Sequence, residues 1–154
     1  MAQRNSEYTR QPNDLYVTPR WVYEALYEVE PWAREAWDCA PVDADFDFLT
    51  AIPVRNVDIA SNPPFSLAEQ FCRRAIEVAE RAALLLPYSF DAAKTRQDLF
   101  KPPFKIRYNL TRRIRWENLE QKKAGPSQNH AWYVFDWSYS GPPMVGWLPL
   151  REAA

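Results

Sequence analysis

Five consecutive residues near the middle of the chain, Ser61-Asn62-Pro63-Pro64-Phe65, combine side-chain types with complementary chemistry. An asparagine carboxamide carries a carbonyl acceptor and an amide donor, and a proline contributes a backbone carbonyl with no N–H beside it to compete. Two acceptors facing one spot match a group with two hydrogens on a single nitrogen, such as an exocyclic amine. Holding both hydrogens biases that nitrogen from planar, ring-conjugated geometry towards a tetrahedral one with a usable lone pair. The amine is then activated without a formal base. Phe65, next in line, supplies a stacking face for the ring that carries it. The bland alternative is a Pro-Pro pair that only ends a strand. Asn in front, Phe behind and a capped helix after it favour the chemical reading.

A second constellation lies further along. Lys101, Lys105, Arg107, Arg112, Arg113 and Arg115, with Tyr108 and Trp116 interleaved, suit phosphates held by cations while an aromatic ring stacks on a base. A solvated surface segment is the competing reading. The charge distribution sharpens the choice: the net charge is only −1, yet residues 1–60 carry five basic against eleven acidic groups and residues 101–123 carry eight against two. Local field, not net charge, would steer a polyanion to the second of these segments. The single histidine, His130, reads as a loop residue with no Ser or Cys partner for a triad. Cys39 and Cys72 form no CxxC pair, and too few ligands exist for zinc, so no metal and no disulfide are expected. Both read as small buried hydrophobes.

These groups need elements to hold them. Trp21, Val22, Ala25, Leu26 and Val29 fall on one helical face, in a helix that Thr18 would cap, Pro19 would open and Pro31 would end. Ala36 to Ala40 reads as a short strand, and Asp43, Asp45 and Asp47 alternate with Ala44, Phe46 and Phe48 in an acidic, half-buried segment. Asn56 to Ala60 is a strand stopped by the prolines. Ser66 and Glu69 have the spacing of a capping box, and Leu67, Ala68, Phe71, Cys72, Ala75, Ile76 and Ala79 make one apolar stripe. Ala82 to Leu86 then reads as a strand buried on both faces, which completes a βαβ unit. A second helix over Asp91 to Phe100, a strand over Lys105 to Leu110, an aromatic strand over Ala131 to Trp137 and a last strand over Met144 to Leu148 follow. Trp132, Tyr133, Phe135 and Trp137 are expected in the core, and the last two strands to pair antiparallel across Gly141-Pro142-Pro143. The architecture expected is α/β, a mixed and mostly parallel sheet with helices on both faces. In such a sheet ligands bind beyond the carboxyl ends of the strands, where Asn62 to Phe65 would stand.

At 154 residues the chain suits one domain, read here as residues 15–150 after a mobile segment over 1–14. No run approaches the ~20 apolar residues of a membrane span, and the first residues lack the apolar core of a secretory signal. A cytoplasmic protein is expected. Asn62-Pro63-Pro64-Phe65 after an apolar strand resembles the catalytic motif of S-adenosylmethionine-dependent amino methyltransferases, in particular the DNA adenine-N6 methyltransferases. Tyr16-Val17-Thr18-Pro19, Asp38-Cys39-Ala40, Asp47-Phe48-Leu49 and His130 to Asp136 are similar to segments of small phage-type members, over roughly residues 16–148. The resemblance implies a Rossmann-like methyltransferase fold, S-adenosylmethionine as cofactor and DNA as partner. It assigns the flipped target base to Asn62, Pro63, Pro64 and Phe65, and the cofactor pocket to Thr18, Pro19, Asp38, Ala40 and Asp47. Phosphate contacts would fall to Lys105, Arg107, Arg112, Arg113 and Arg115.

The chain also departs from that pattern. The family's glycine-rich turn is missing: the first glycine is Gly125, and only 21 residues separate Ala40 from Asn62. The N-terminal half is thus abbreviated. An abbreviated pocket that survives, a partner chain or homodimer that completes it, and loss of the cofactor are the three expectations this leaves. Alongside DNA methylation stand methylation of RNA or of a protein glutamine, and a non-catalytic nucleic-acid-binding protein.

Overall fold

The computed structural model describes residues 16–40, 47–50, 56–116 and 128–148. Five strands, β1 (Val57–Ser61), β2 (Ala79–Pro87), β3 (Phe104–Leu110), β4 (His130–Asp136) and β5 (Met144–Leu148), form one mixed sheet in the order β1-β2-β4-β3-β5. β1 is parallel to β2 and β3 to β5, while β4 runs antiparallel between β2 and β3. Four strands therefore point the same way. Ser61, Pro87, Leu110 and Leu148 close them at one rim, where His130 opens β4.

The apolar run in β2 explains its central place, because alternate residues feed different layers. Leu84 and Leu86 pack with Phe71, Cys72 and Ala75 of α2 (Ala68–Val78), whereas Ala83 and Leu85 pack with Val22, Ala25 and Leu26 of α1 (Arg20–Val29). Helices and 3-10 turns thus cover both faces. Trp132, Tyr133 and Phe135 of β4 are buried as expected, but on both faces of the covered sheet, Trp132 towards α1 and Tyr133 and Phe135 towards α2, and Trp132 Nε1 donates to the Val22 carbonyl at 3.0 Å, tying α1 to the sheet.

Several local expectations fail for identifiable reasons. Residue 93 is extended and divides the segment read as a second helix into two 3-10 turns, Phe90–Ala92 and Lys94–Leu99. The strand expected over Ala36 to Ala40 shrinks to a single bridge between Trp37 and Ile59, since the Ala40 amide turns back to Asp38 Oδ1 at 3.1 Å. Pro19, not Thr18, is the N-cap of α1. The capping box is not made either: Leu67 is the N-cap of α2 without a side-chain cap, and Glu69 is drawn to Arg73 and Arg96. β4 and β5 do not pair, because β2 and β3 already occupy both edges of β4, and β5 lies beyond β3 instead. Trp137 is 59% exposed rather than core, with its Nε1 donating to the Ile76 carbonyl. The expected mobile segment over 1–14, Asp43, Asp45 and the basic residues beyond Trp116 lie outside the described residues.

Candidate functional site

β1 delivers Ser61 and Asn62 to the sheet rim, and two long-range hydrogen bonds fix them there. Ser61, fully buried, donates its hydroxyl to Asp38 Oδ1 at 2.7 Å. Asn62 Nδ2 donates to Thr18 Oγ1 at 3.0 Å, across 44 residues of sequence. That bond sets the orientation of the carboxamide. Asn62 Oδ1 is left buried with no hydrogen-bond partner among the described residues. An orphaned acceptor of this kind costs about 1–3 kcal/mol, which makes it a place where a donor from a ligand gains most. Pro63 is buried, and the Pro64 carbonyl accepts from the Leu67 amide at 3.0 Å to start the turn that leads into α2.

Phe65 is enclosed by aromatic rings. Tyr16 stacks on it at 5.0 Å between centroids, His130 packs at 5.5 Å, and Trp116 meets it edge-on at 5.9 Å. His130 is therefore the first residue of a strand and part of the site's wall, not a loop residue. It is 2% exposed, neither ring nitrogen has a hydrogen-bond partner of normal geometry among the described residues, and burial pushes its pKa down to about 4 against an opposing pull from the Gln128 backbone. The imidazole is neutral at physiological pH. Burial likewise raises the Cys39 thiol to about 12, and burial followed by the Asp38 charge pushes the Tyr23 phenol above its ordinary range.

The fold gathers some sequence-predicted residues and separates others. Thr18 and Asp38 both arrive at the Asn62 loop by direct or adjacent hydrogen bonds, with Pro19 and Ala40 beside them in the chain. Asp47 spends both carboxylate oxygens on its own turn, accepting from the Leu49 amide and the Thr50 hydroxyl. The basic set divides in two. Lys105 is paired with Glu30 at 2.9 Å and Arg107 with Asp91, so both are neutralised inside the fold. Arg112, Arg113 and Arg115 are exposed after β3, with Arg112 over the Trp21 ring at 5.0 Å and Arg113 Nε donating to Asn129 Oδ1 at 2.9 Å. Tyr108 and Trp116 are not free stacking platforms: the first donates its hydroxyl to Glu30, and the second is 6% exposed within the ring cluster. Tyr16 and His130 escaped sequence reasoning as site residues, and Trp116 was read only as a base-stacking ring of the basic segment, because no spacing rule links rings 14 to 114 positions apart. The only cue to Tyr16 was its place ahead of Thr18-Pro19.

Chemically, the rim holds a fixed, buried amide oxygen with no partner among the described residues and a carboxylate bonded to the neighbouring Ser61, with Phe65 following in the same loop. No helix among the described residues is long and apolar enough to cross a membrane. Compared with known family models and with curated proteins, the chain matches none.

Proposed function

We propose that the protein is an S-adenosylmethionine-dependent DNA methyltransferase acting on the exocyclic N6 amine of adenine. The observation that carries this reading is the pinned Asn62 carboxamide, whose nitrogen is committed to Thr18 and whose oxygen has no partner among the described residues. Asn62 Oδ1 accepts one amine hydrogen. Because the Pro64 carbonyl is engaged by Leu67, the second acceptor is that of Pro63. Phe65 stacks on the ring, and the base must be extruded from its helix to reach this loop, since a paired, stacked amine is not accessible. Positioning and electrostatics supply the rate.

The residues present fit one end of the cofactor. Asp38, exposed beside Ser61, and Thr18 would hold the cationic methionine end, as the chemistry of a carboxylate and a hydroxyl suits an ammonium or sulfonium. Asp47 would serve the adenosine end only by giving up its own turn. S-adenosylmethionine, when bound, supplies an electrophilic methyl group.

The test is incubation with methyl-labelled cofactor and separate pools of DNA, RNA and protein. Label in DNA supports the proposal, and label in RNA or in protein glutamine redirects it. Asn62→Ala is expected to lower methyl transfer by at least about a hundredfold, in line with the loss of a preorganised transition-state contact, with an unchanged circular dichroism spectrum; near-normal turnover would remove Asn62 from its role.

One observation favours a second reading, a non-catalytic nucleic-acid-binding protein. Tyr16 covers the Phe65 face at 5.0 Å, where an extruded base would stack. Calorimetric titration with S-adenosylmethionine separates the two, because heat at micromolar concentration belongs to an enzyme and silence to a binder. The stoichiometry also tells a self-contained pocket, one cofactor per chain, from one shared between two chains.

A further inference from the structure

Beyond the Asn62 loop, the same rim holds a cavity of about 370 Å³ at the ends of β2, β3, β4 and β5. This is within the size range of small-ligand sites. Its walls include Tyr88, Asn109, Thr111, Asn129, His130 and Trp147, and none of Asn62 to Phe65 lines it. Asn109 Oδ1 is buried without a hydrogen-bond partner among the described residues. The Asn109 carboxamide offers an acceptor and an amide donor, whereas the His130 ring lies on the opposite face of the sheet, against Phe65 and Trp116. Two aromatic side chains at the cavity remain open to solvent, Tyr88 at 53% and Trp147 at 66%.

We propose that this cavity is a subsite for a second nucleobase, the neighbour of the target on the same single strand. The inference rests on the nucleic-acid reading above and extends it. A base offers a flat face for Tyr88 or Trp147 and an edge of mixed donors and acceptors for the Asn109 carboxamide, which shares a face of the sheet with Trp147. Arg113 is bonded to Asn129 in the cavity wall, so its guanidinium stands beside the cavity where the strand's phosphates would pass, while Arg112 lies over the Trp21 ring. His130 joins the two places: one of its contacts is the Phe65 ring at 5.5 Å, and it also lines the cavity. Target and neighbour would thus lie on either side of His130.

The test measures binding of a fluorescein-labelled single-stranded DNA decamer to wild type, Trp147→Ala and Asn109→Leu at several salt concentrations, with adenosine monophosphate as competitor. Trp147 is a surface side chain, so its variant keeps the fold even if Asn109→Leu does not. A loss of about fivefold or more in affinity with an unchanged salt slope is expected for Trp147→Ala, because stacking is removed and no phosphate contact is. If wild type binds and the Trp147 variant binds equally, the subsite is wrong while the nucleic-acid reading stands. If wild type fails to bind the strand, both fall. Should the Trp147 dependence be seen for the mononucleotide alone, the cavity serves a free nucleotide and the neighbouring-base assignment is overturned.

Discussion

His130 shows what burial of a single titratable ring costs. Its folded pKa, about 4, lies below the ordinary value of 6.5. Between those two values the unfolded chain binds the extra proton, so stability is complete above pH 6.5 and declines as pH falls towards 4, by about 3 kcal/mol. Urea unfolding of wild type and His130→Leu at pH 7.5 and 4.5 is expected to show this decline in the first and a smaller one in the second; equal declines would mean that the imidazole is solvated. At this scale the sequence placed Asn62 just past the end of β1, where it stands, and misread His130, the first residue of β4, as a loop residue. Two prolines mark where a strand must stop, whereas a histidine's burial depends on Phe65 and Trp116, which reach it only through the tertiary fold.

Among elements, β3 and the segment after it carry basic residues that look alike in sequence and differ in fate. Lys105 faces Glu30, which is 4% exposed and also accepts from Trp32 Nε1 at 2.7 Å. Removing the lysine strands a buried carboxylate, so Lys105→Ala is expected to cost about 2–3 kcal/mol, the pair being partly solvated on the lysine side. It should leave the salt dependence of DNA binding alone. Replacing Arg112, Arg113 and Arg115 together by alanine is expected to do the opposite, leaving stability within about 0.5 kcal/mol and flattening the slope of log affinity against log salt by about 2–3. A flattened slope for Lys105→Ala would reverse the assignment. Strand periodicity predicted which residues alternate along β3. It did not show that α1 would end with an acidic residue against them. The same blindness to partners made Ser66 and Glu69 look like a cap, when Arg73 and Arg96 compete for the glutamate.

For the molecule as a whole, the apolar run of β2 and the βαβ unit around it were legible, because a strand buried on both faces leaves few alternatives. The order β1-β2-β4-β3-β5 was not, since pairing across β4 is decided by which edges are filled first and not by loop length. The two-layered build has one practical outcome. Both cysteines of the chain, Cys39 and Cys72, lie in the layer under α2, fully buried and with thiols raised to about 12, and none lies in the layer under α1. A thiol reagent is therefore a selective clock for the opening of one half of the protein. Cys39 adjoins Asp38 and Cys72 sits in mid-helix, so a small molecule settling beside Asp38 is expected to slow modification of the first while leaving the second as an internal reference. Equal retardation at both would mean global tightening, and none would mean that nothing settles there.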